Sequence, residues 1–478
     1  MDESKDGERG DAGAPRPRSP IMLLRVPRPP VLLPSRPIFL RSPRRFVSSL
    51  VATTYDNHTT LHPESHSAVT SVLRFFNSVT EDGAQIPMYR VLDGEGKVFE
   101  DAEIPEVDQT LARKMYENMV QLPIIDNLLY NVQRQGKISF YMTSYGEEAA
   151  LIGSAAALEP DDEVLGQYRE LGVLLYRGFT YDSIMNQVFG THLDDSNQGK
   201  QMPVHFGSRK FHFHTISSPL ATQIPQAAGV GYALKRDPIR GGRNCAVVYF
   251  GDGAASEGDF HAGMMLASTV PSPTLFFARN NGFAISTPSS EQYHGDGIAS
   301  RGPGYGVHTL RVDGNDVLAV YAAVKEARRL CLRDSRAVLI EAMTYRVGHH
   351  STSDDSFAYR PRHEVEERKR LDNPISRFRL FLEARGWWDA EEEKALLARL
   401  KDDVLKAFRR AEAEPKPELQ KMFEEVYGGE EPWTITENRA ELARLLQKYG
   451  KVWEPWRSAL KDFKGAGKAL LEEGPAAK

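Results

Sequence analysis

Cysteine is almost missing from this sequence: Cys245 and Cys331 are the only two in 478 residues. That excludes a disulfide scaffold and a cysteine-rich zinc or iron–sulfur site. No run of 18 apolar residues occurs, so no membrane-spanning helix is expected. A strong excess of either charge is missing too: the formal net charge is -5, which gives no reason to expect a nucleic-acid partner. Apolar residues at 41% and charged residues at 26% exclude a disordered or collagen-like chain and allow a large core.

Acid is missing locally. Five acidic residues crowd the first 11 positions, and then none occurs from Ala12 to Leu50, where there are eight arginines. An arginine-rich, acid-free segment with Leu, Ile, Val, Phe and Ser has the composition of a mitochondrial import signal, so residues 1–50 are expected to be a targeting region delivering the chain to the mitochondrial matrix. Nine prolines in that stretch argue against a regular amphipathic helix. The acidic start is wrong for a presequence. A chain beginning at Met22 would carry a leader with no acid at all, so residues 1–21 are expected to be an extension upstream of the real start.

Residues 51–107 are polar and turn-rich and read as an N-terminal arm, with a short strand at 86–93. Apolar positions Leu111, Met115, Met119, Leu122, Ile125 and Leu129 predict a helix from about Asp108 to Gln135, with a kink or break at Pro123. An alanine-rich helix is expected at 146–158. Continuous apolar runs at 245–250, 274–279 and 337–343 predict buried parallel strands, with helices between them at 256–269 and 315–332. The fold class is α/β: a doubly wound, mostly parallel sheet with helices on both faces, filling residues 108–361. From 362 to 478 the pattern is helical and charged. Asp389 reads as an N-cap with Glu392 at the capping-box position, Pro415 and Pro417 end that helix, a second runs over about 436–448, and the final EEGPAAK frays.

The strand 245–250 runs into Gly251-Asp252-Gly253-Ala254-Ala255-Ser256-Glu257-Gly258. A glycine turn at the carboxyl end of a strand binds phosphate through backbone N–H groups. The dinucleotide pattern fails, because Ser256 occupies the third glycine position and an acid sits between the first two. Asp252 would repel a bare diphosphate, whereas a Mg²⁺ ion could use Asp252 and shield the phosphates together. The next strand ends in Arg279-Asn280-Asn281-Gly282, and Asn281 offers the neutral amide oxygen that Mg²⁺ accepts. Paired in this way, GDG and NN form the thiamine diphosphate motif.

The strings GQYRELG (166–172), SSPLATQIPQAAG (217–229), GDGAASEGDFHAG (251–263), RNNGFAISTP (279–288), YHGDGIASRGPGYG (293–306) and EAMTYRVGHHSTSDDSFAYR (341–360) carry a wider likeness. Over roughly residues 75 to 460 the chain resembles the alpha subunits of branched-chain 2-oxo acid dehydrogenase E1 components, within the thiamine diphosphate-dependent 2-oxo acid dehydrogenases. The resemblance implies that Asp252, Asn281 and the backbone carbonyl of Phe283 hold Mg²⁺. Relatives often have Tyr at the last position, which changes nothing for a carbonyl ligand. It implies that Gln167, Tyr168, Arg169, Arg279 and His350 meet the diphosphate, with N–H groups of Gly253 and Ala254, and that Ser218 and Leu220 lie near the aminopyrimidine. Ser217, Pro219, Thr222 and Gln223 match a structural K⁺ site. His350 is the expected catalytic residue of this chain; His349 is expected to shape the loop.

The implied reaction is oxidative decarboxylation of a small branched-chain 2-oxo acid with transfer of the acyl group to the lipoyl group of an E2 acyltransferase core, the 3-methyl-2-oxobutanoate dehydrogenase activity. Such enzymes hold the cofactor between two α/β domains, and this chain has only the diphosphate-and-metal half. The expected complement is an E1 beta subunit, in an α₂β₂ heterotetramer, carrying the glutamate that faces the aminopyrimidine. Residues 350–360 resemble a phosphorylatable loop with Ser351 as the regulatory serine, which implies a kinase and a phosphatase; the second phosphoserine of the family is Pro361 here. A pyruvate dehydrogenase E1 alpha subunit is the nearest alternative, but the chain reads GDGAASEG and GHHSTSDD where those read GDGAANQG and GHSMSDP. A non-catalytic assembly subunit is disfavoured by intact Asp252, Asn281, Arg169, Arg279 and His350.

Overall fold

The computed structural model describes residues 69–76, 85–424 and 427–468. The basic leader, the Met22 start and the EEGPAAK end lie outside the described residues. Among the described residues ten strands are present in chain order: β1 Val69–Thr70, β2 Met88–Tyr89, β3 Glu163–Leu165, β4 Phe213–His214, β5 Ala246–Gly251, β6 Thr274–Asn280, β7 Phe283–Ala284, β8 Thr287–Pro288, β9 His308–Asp313 and β10 Val338–Met343. Eight form one sheet in the order β1-β2-β9-β10-β6-β5-β3-β4, and every pairing in it is parallel. β7 and β8 make a separate antiparallel hairpin.

Parallel strands bury both faces, and successive side chains alternate between them. Val247 and Tyr249 of β5 join one core with the helices Gln109–Arg134, Glu148–Ala156 and Val317–Asp334. Their neighbours Val248 and Phe250 join a second core with the helices Gln223–Arg236 and Gly258–Thr269. Helices therefore cover both faces, as expected of a doubly wound sheet.

The first long helix runs unbroken over 26 residues, capped by the Asp108 carboxylate, which accepts from Leu111 N–H at 2.7 Å. Pro123 sits inside it without dividing it. A proline there removes one backbone bond and costs about 3 kcal/mol; the buried face of Met115, Met119, Leu122, Ile125 and Leu129 outweighs that. β9 was not read as a strand in the sequence. The segment read as an arm supplies β1 and β2 at the sheet edge, and the tail read as helical contributes Phe378, Phe381, Leu382, Leu396 and Val404 to the first core. Asp389 caps the helix Ala390–Ala413 by accepting from Glu392 N–H at 2.8 Å. The reciprocal half of the capping box is diverted, because Arg113 donates to the Glu392 carboxylate at 2.5 Å.

A buried ion cluster ties arm, sheet and tail together. Asp313, the last residue of β9, accepts from Arg90 Nε at 2.6 Å and from Arg377 Nη1 at 2.7 Å, all three side chains being sealed from solvent. Three residues on, Asp316 accepts from the N–H groups of Val91 and Leu92 at 2.7 and 2.6 Å and caps the following helix. Burial alone would raise the Asp313 pKa, but Arg377 and Arg90 hold it down at about 2.

Removing one partner of such a cluster leaves buried charge uncompensated, which costs about 3–5 kcal/mol. Asp313→Asn is expected to lower the urea midpoint accordingly, and the pH sign follows from the depressed pKa. The contribution is whole above the ordinary carboxylate range and is lost as pH falls toward about 2. A midpoint shift no larger than that of the exposed change Lys97→Gln would contradict this.

Candidate functional site

The site lies at the carboxyl edge of the sheet, where the strands deliver their terminal residues side by side. β5 and β6 are paired with Gly251 opposite Arg279, so Asp252 follows one strand as Asn280 and Asn281 close the other. Gly282, at φ +88°, turns the chain from Asn281 into the β7–β8 hairpin; only glycine takes that conformation without strain. That hairpin comes back so close to the first turn that a Cβ on Gly253 would lie 3.0 Å from the Ala284 Cβ.

The expected metal ligands Asp252, Asn281 and Phe283 thus sit on adjacent turns. Asp252 is buried, and its Oδ2 accepts from Gln292 Nε2 at 2.6 Å. Burial pushes its pKa up, which a bound cation would reverse. Asn281 donates through Nδ2 to Glu147 at 2.7 Å, while its Oδ1 accepts from Phe283 N–H at 3.3 Å. The Phe283 carbonyl accepts from Arg346 Nη1 at 3.2 Å. Among the described residues no group of three or more His, Cys, Asp or Glu is arranged around a metal position; the expected set uses one carboxylate with an amide and a carbonyl.

The turn after β3 supplies Gln167, Tyr168 and Arg169. Glu170 Oε2 accepts from the backbone N–H groups of Gln167 and Arg169 at 2.7 and 3.1 Å and so shapes that turn. Arg169 donates through Nη1 to the Thr143 carbonyl, and through Nη2 to the His350 carbonyl at 2.7 Å and the His350 Nδ1 at 3.3 Å. Arginine only donates, so Nδ1 is the acceptor and the imidazole proton sits on Nε2. Tyr168 presents its ring edge-on to His350, centroids 6.2 Å apart. Burial first, then the charges of Arg169 and Arg346, press the His350 pKa down to about 3. His349 accepts at Nδ1 from Ser356 N–H at 3.0 Å, a loop-shaping contact.

Arg279 is 2% exposed and is gripped by two carboxylates, donating through Nη1 to Glu147 and through Nη2 to Glu170. The sequence reading expected Arg279 to spend its fork on a diphosphate; both terminal nitrogens are engaged within the chain. Its Nε and the Nε2 of Gln167 are buried with no hydrogen-bond acceptor, and Gln223 Oε1 is buried with no donor. Buried polar groups are ordinarily paired. Two donors without acceptors beside the 167–169 turn fit phosphate oxygens, and an acceptor without a donor fits a cation.

Gln223 also joins the SSPLATQ turn to this edge, donating through Nε2 to Gln167 Oε1 and to the Tyr249 carbonyl, each at 3.2 Å. In the same turn Thr222 Oγ1 lies 3.4 Å from the Ser217 hydroxyl and 3.4 Å from the Pro219 carbonyl. Ala221 takes the left-handed region at φ 64°, which brings these oxygens into one tight turn. Leu220 is 39% exposed. Ser218 donates to His205 Nε2 at 2.7 Å, the other ring nitrogen of His205 being turned to the Pro203 carbonyl at 3.1 Å.

The loop after β10 is tied down. Asp354 Oδ2 accepts from His350 N–H and from the Tyr359 hydroxyl, each at 2.7 Å, and Tyr359 in turn accepts from Arg346 Nη2 at 2.6 Å. Ser351 is only 9% exposed, its hydroxyl accepting from Ser353 N–H at 3.2 Å. Glu147, Glu170, Arg346, Gln292 and His205 were not assigned from sequence. The buried partners of Glu147, Glu170 and Arg346 lie far along the chain.

The family described as dehydrogenase E1 component matches residues 116–420. The mitochondrial 2-oxoisovalerate dehydrogenase subunit alpha of Macaca fascicularis is 53% identical over 366 residues, 77% of this chain and 81% of that protein. Its Caenorhabditis elegans counterpart is 52% identical over 383 residues, 80% and 87% of the two chains. Subunit alpha 1 of Arabidopsis thaliana is 48% identical over 393 residues, 82% of each.

A histidine held near pKa 3 stays neutral through the physiological range. In selectively labelled protein the His350 Cε1 proton is expected to hold its chemical shift from pH 8 to pH 5. A His350 midpoint above about pH 5 would contradict the assigned environment.

Proposed function

The chain belongs to the dehydrogenase E1 component family, and from that membership we propose that it is the alpha subunit of the E1 component of a branched-chain 2-oxo acid dehydrogenase complex, working in the mitochondrial matrix. It takes part in oxidative decarboxylation of a small branched 2-oxo acid and passage of the acyl group to lipoylated E2, and it is active only with a beta subunit. The observation that carries this reading is the pairing of β5 with β6, which sets the Asp252 and Asn281 turns side by side at one sheet edge.

The cofactor is thiamine diphosphate, whose thiazolium ring supplies the electron sink for decarboxylation. The residues of this chain contribute placement and charge. Asp252, Asn281 and the Phe283 carbonyl would hold Mg²⁺, a set of hard oxygen donors suited to that ion. Gln167 Nε2 and Arg279 Nε are donors without acceptors on the phosphate side; Arg169 adds charge, and Tyr168, Gly253 and Ala254 line the same edge. Ser218 and Leu220 would lie toward the aminopyrimidine. The Ser217, Thr222 and Gln223 side chains and the Pro219 carbonyl supply neutral oxygens for K⁺, with Gln223 Oε1 lacking any other partner. His350, neutral and protonated at Nε2, can donate a hydrogen bond from that nitrogen to an oxygen.

One sheet supplies one wall of such a site. The beta subunit supplies the facing wall and the carboxylate that meets the aminopyrimidine, which accounts for an α₂β₂ assembly. Ser351, in the loop that carries His350, is the proposed site of a regulatory kinase and phosphatase.

The test is co-expression with the candidate beta chain, followed by assay with lipoylated E2 domain. Turnover should require thiamine diphosphate and Mg²⁺, and kcat/KM should favour 3-methyl-2-oxobutanoate over pyruvate by at least about tenfold, the effect of the 1–3 kcal/mol a hydrophobic pocket gains from extra methyl groups. Asp252→Ala should remove Mg²⁺-dependent cofactor binding. Preference for pyruvate would overturn the substrate assignment; unaltered binding in Asp252→Ala would point to a non-catalytic subunit.

A phosphate on Ser351 brings nearly two negative charges next in sequence to His350, at a side chain that is only 9% exposed. Ser351→Glu is expected to abolish transfer to lipoylated E2 while shifting the thermal midpoint little. Near-normal turnover by that variant would count against a regulatory Ser351.

A further inference from the structure

Among the buried acids, Glu147 touches the expected ligands and has no role in the reading above. Glu147 is 1% exposed and precedes the helix Glu148–Ala156. Its backbone is fixed on both sides: its N–H donates to the Ser144 carbonyl and its carbonyl accepts from Leu151 N–H, each at 3.0 Å. Its two carboxylate oxygens are divided between two expected ligands, Oε1 accepting from Asn281 Nδ2 at 2.7 Å and Oε2 from Arg279 Nη1. Arg279 passes the connection on to Glu170, which shapes the 167–169 turn.

We infer that Glu147 is a positioning residue for the metal half of this site. The inference rests on the thiamine diphosphate reading. A primary amide can flip, exchanging a donor for an acceptor. With its NH₂ on an ionised carboxylate, Asn281 is locked in one orientation, since the flipped form would set Oδ1 against that carboxylate. The lock leaves Oδ1 with one lone pair on Phe283 N–H and another for a cation. The same carboxylate fixes the Arg279 guanidinium and leaves Nε as its one donor without an acceptor. The Arg279 guanidinium on the other carboxylate oxygen supplies the counter-charge at this sealed position. Through Glu147–Arg279–Glu170 the metal turn and the diphosphate turn form one connected unit, and each ligand should sense the other.

Glu147→Gln keeps shape and removes charge; its own amide accepts either orientation of Asn281. In the assembled α/β complex, Mg²⁺ titrated against saturating thiamine diphosphate and read by tryptophan fluorescence should show apparent metal affinity weakened about 10–100-fold, the range seen when an outer partner of a metal ligand is lost. Turnover at saturating Mg²⁺ should recover most of its wild-type value. A merely structural role would lower the thermal midpoint and leave the Mg²⁺ midpoint in place. Should Glu147→Gln not assemble, Glu147→Asp keeps the charge that neutralises Arg279 but draws back from Asn281, and the same weakening is expected. A wild-type complex with no Mg²⁺-dependent binding would overturn the thiamine diphosphate reading. A wild-type complex that binds, alongside a variant with an unchanged Mg²⁺ midpoint, would overturn the role of Glu147.

Discussion

A guanidinium buried at the end of a parallel strand has to be neutralised where it stands. Arg279 stands one residue before the end of β6, and taking such an ion out of water costs several kcal/mol even after relaxation. The compensating carboxylates come from two other parts of the chain, Glu147 before one helix and Glu170 before another. Satisfying Arg279 therefore forces the 143–147 and 167–170 segments to converge on the strand end. The shape of the carboxyl edge follows from that convergence. Glu170 has an oxygen left to organise the N–H groups of Gln167 and Arg169, and Glu147 has one left to orient Asn281.

The charges that remain define what the edge can accept. Glu147 and Glu170 spend themselves on Arg279, so Arg169 and Arg346 are left facing His350, and after burial they are what drives its pKa down. On the other side Asp252, buried beside Gln292, is pushed toward its neutral form. An edge with an excess of positive charge at one end and a costly carboxylate at the other is unbalanced alone. A polyanion bridged by a divalent cation resolves both ends together, the anion against the arginines and the cation against Asp252.

What could be read from the sequence follows from where apolar character is continuous. CAVVYF, TLFFAR and AVLIEAM announce themselves because both faces of β5, β6 and β10 are buried. β9, HTLRVD, is just as buried, yet Arg311 and Asp313 make it look like a surface segment; those charges are neutralised by partners such as Glu341 and Arg377, distant in sequence. β2 is two residues long and has no periodicity to show. The GDG and NN turns were legible because their backbone chemistry is local. Glu147, Glu170 and Arg346 were not, because a buried charge is recognisable only once its counter-ion is in place, and sequence order does not bring the two together.

The same contrast between burial and exposure decides where such a site can be controlled. The sheet-borne part is fixed by ion pairs sealed from solvent, and breaking one of these leaves a buried charge unpaired. Within the loop after β10, His350 and Tyr359 are held differently, by half-buried contacts in which Asp354 accepts from the His350 N–H and from Tyr359, and Tyr359 accepts from Arg346. Hydrogen bonds to charged groups contribute about 1.5–3 kcal/mol each, less than the about 3–5 kcal/mol that an unpaired buried charge costs, so added charge within the loop can undo the set without touching the sheet. Because Asp354 anchors the backbone of His350 itself, loosening the loop displaces the histidine while Asp252, Asn281 and Arg279 stay in register. A change confined to this loop thus moves His350, and with it the contacts Arg169 makes there, while the sheet-borne ion pairs hold.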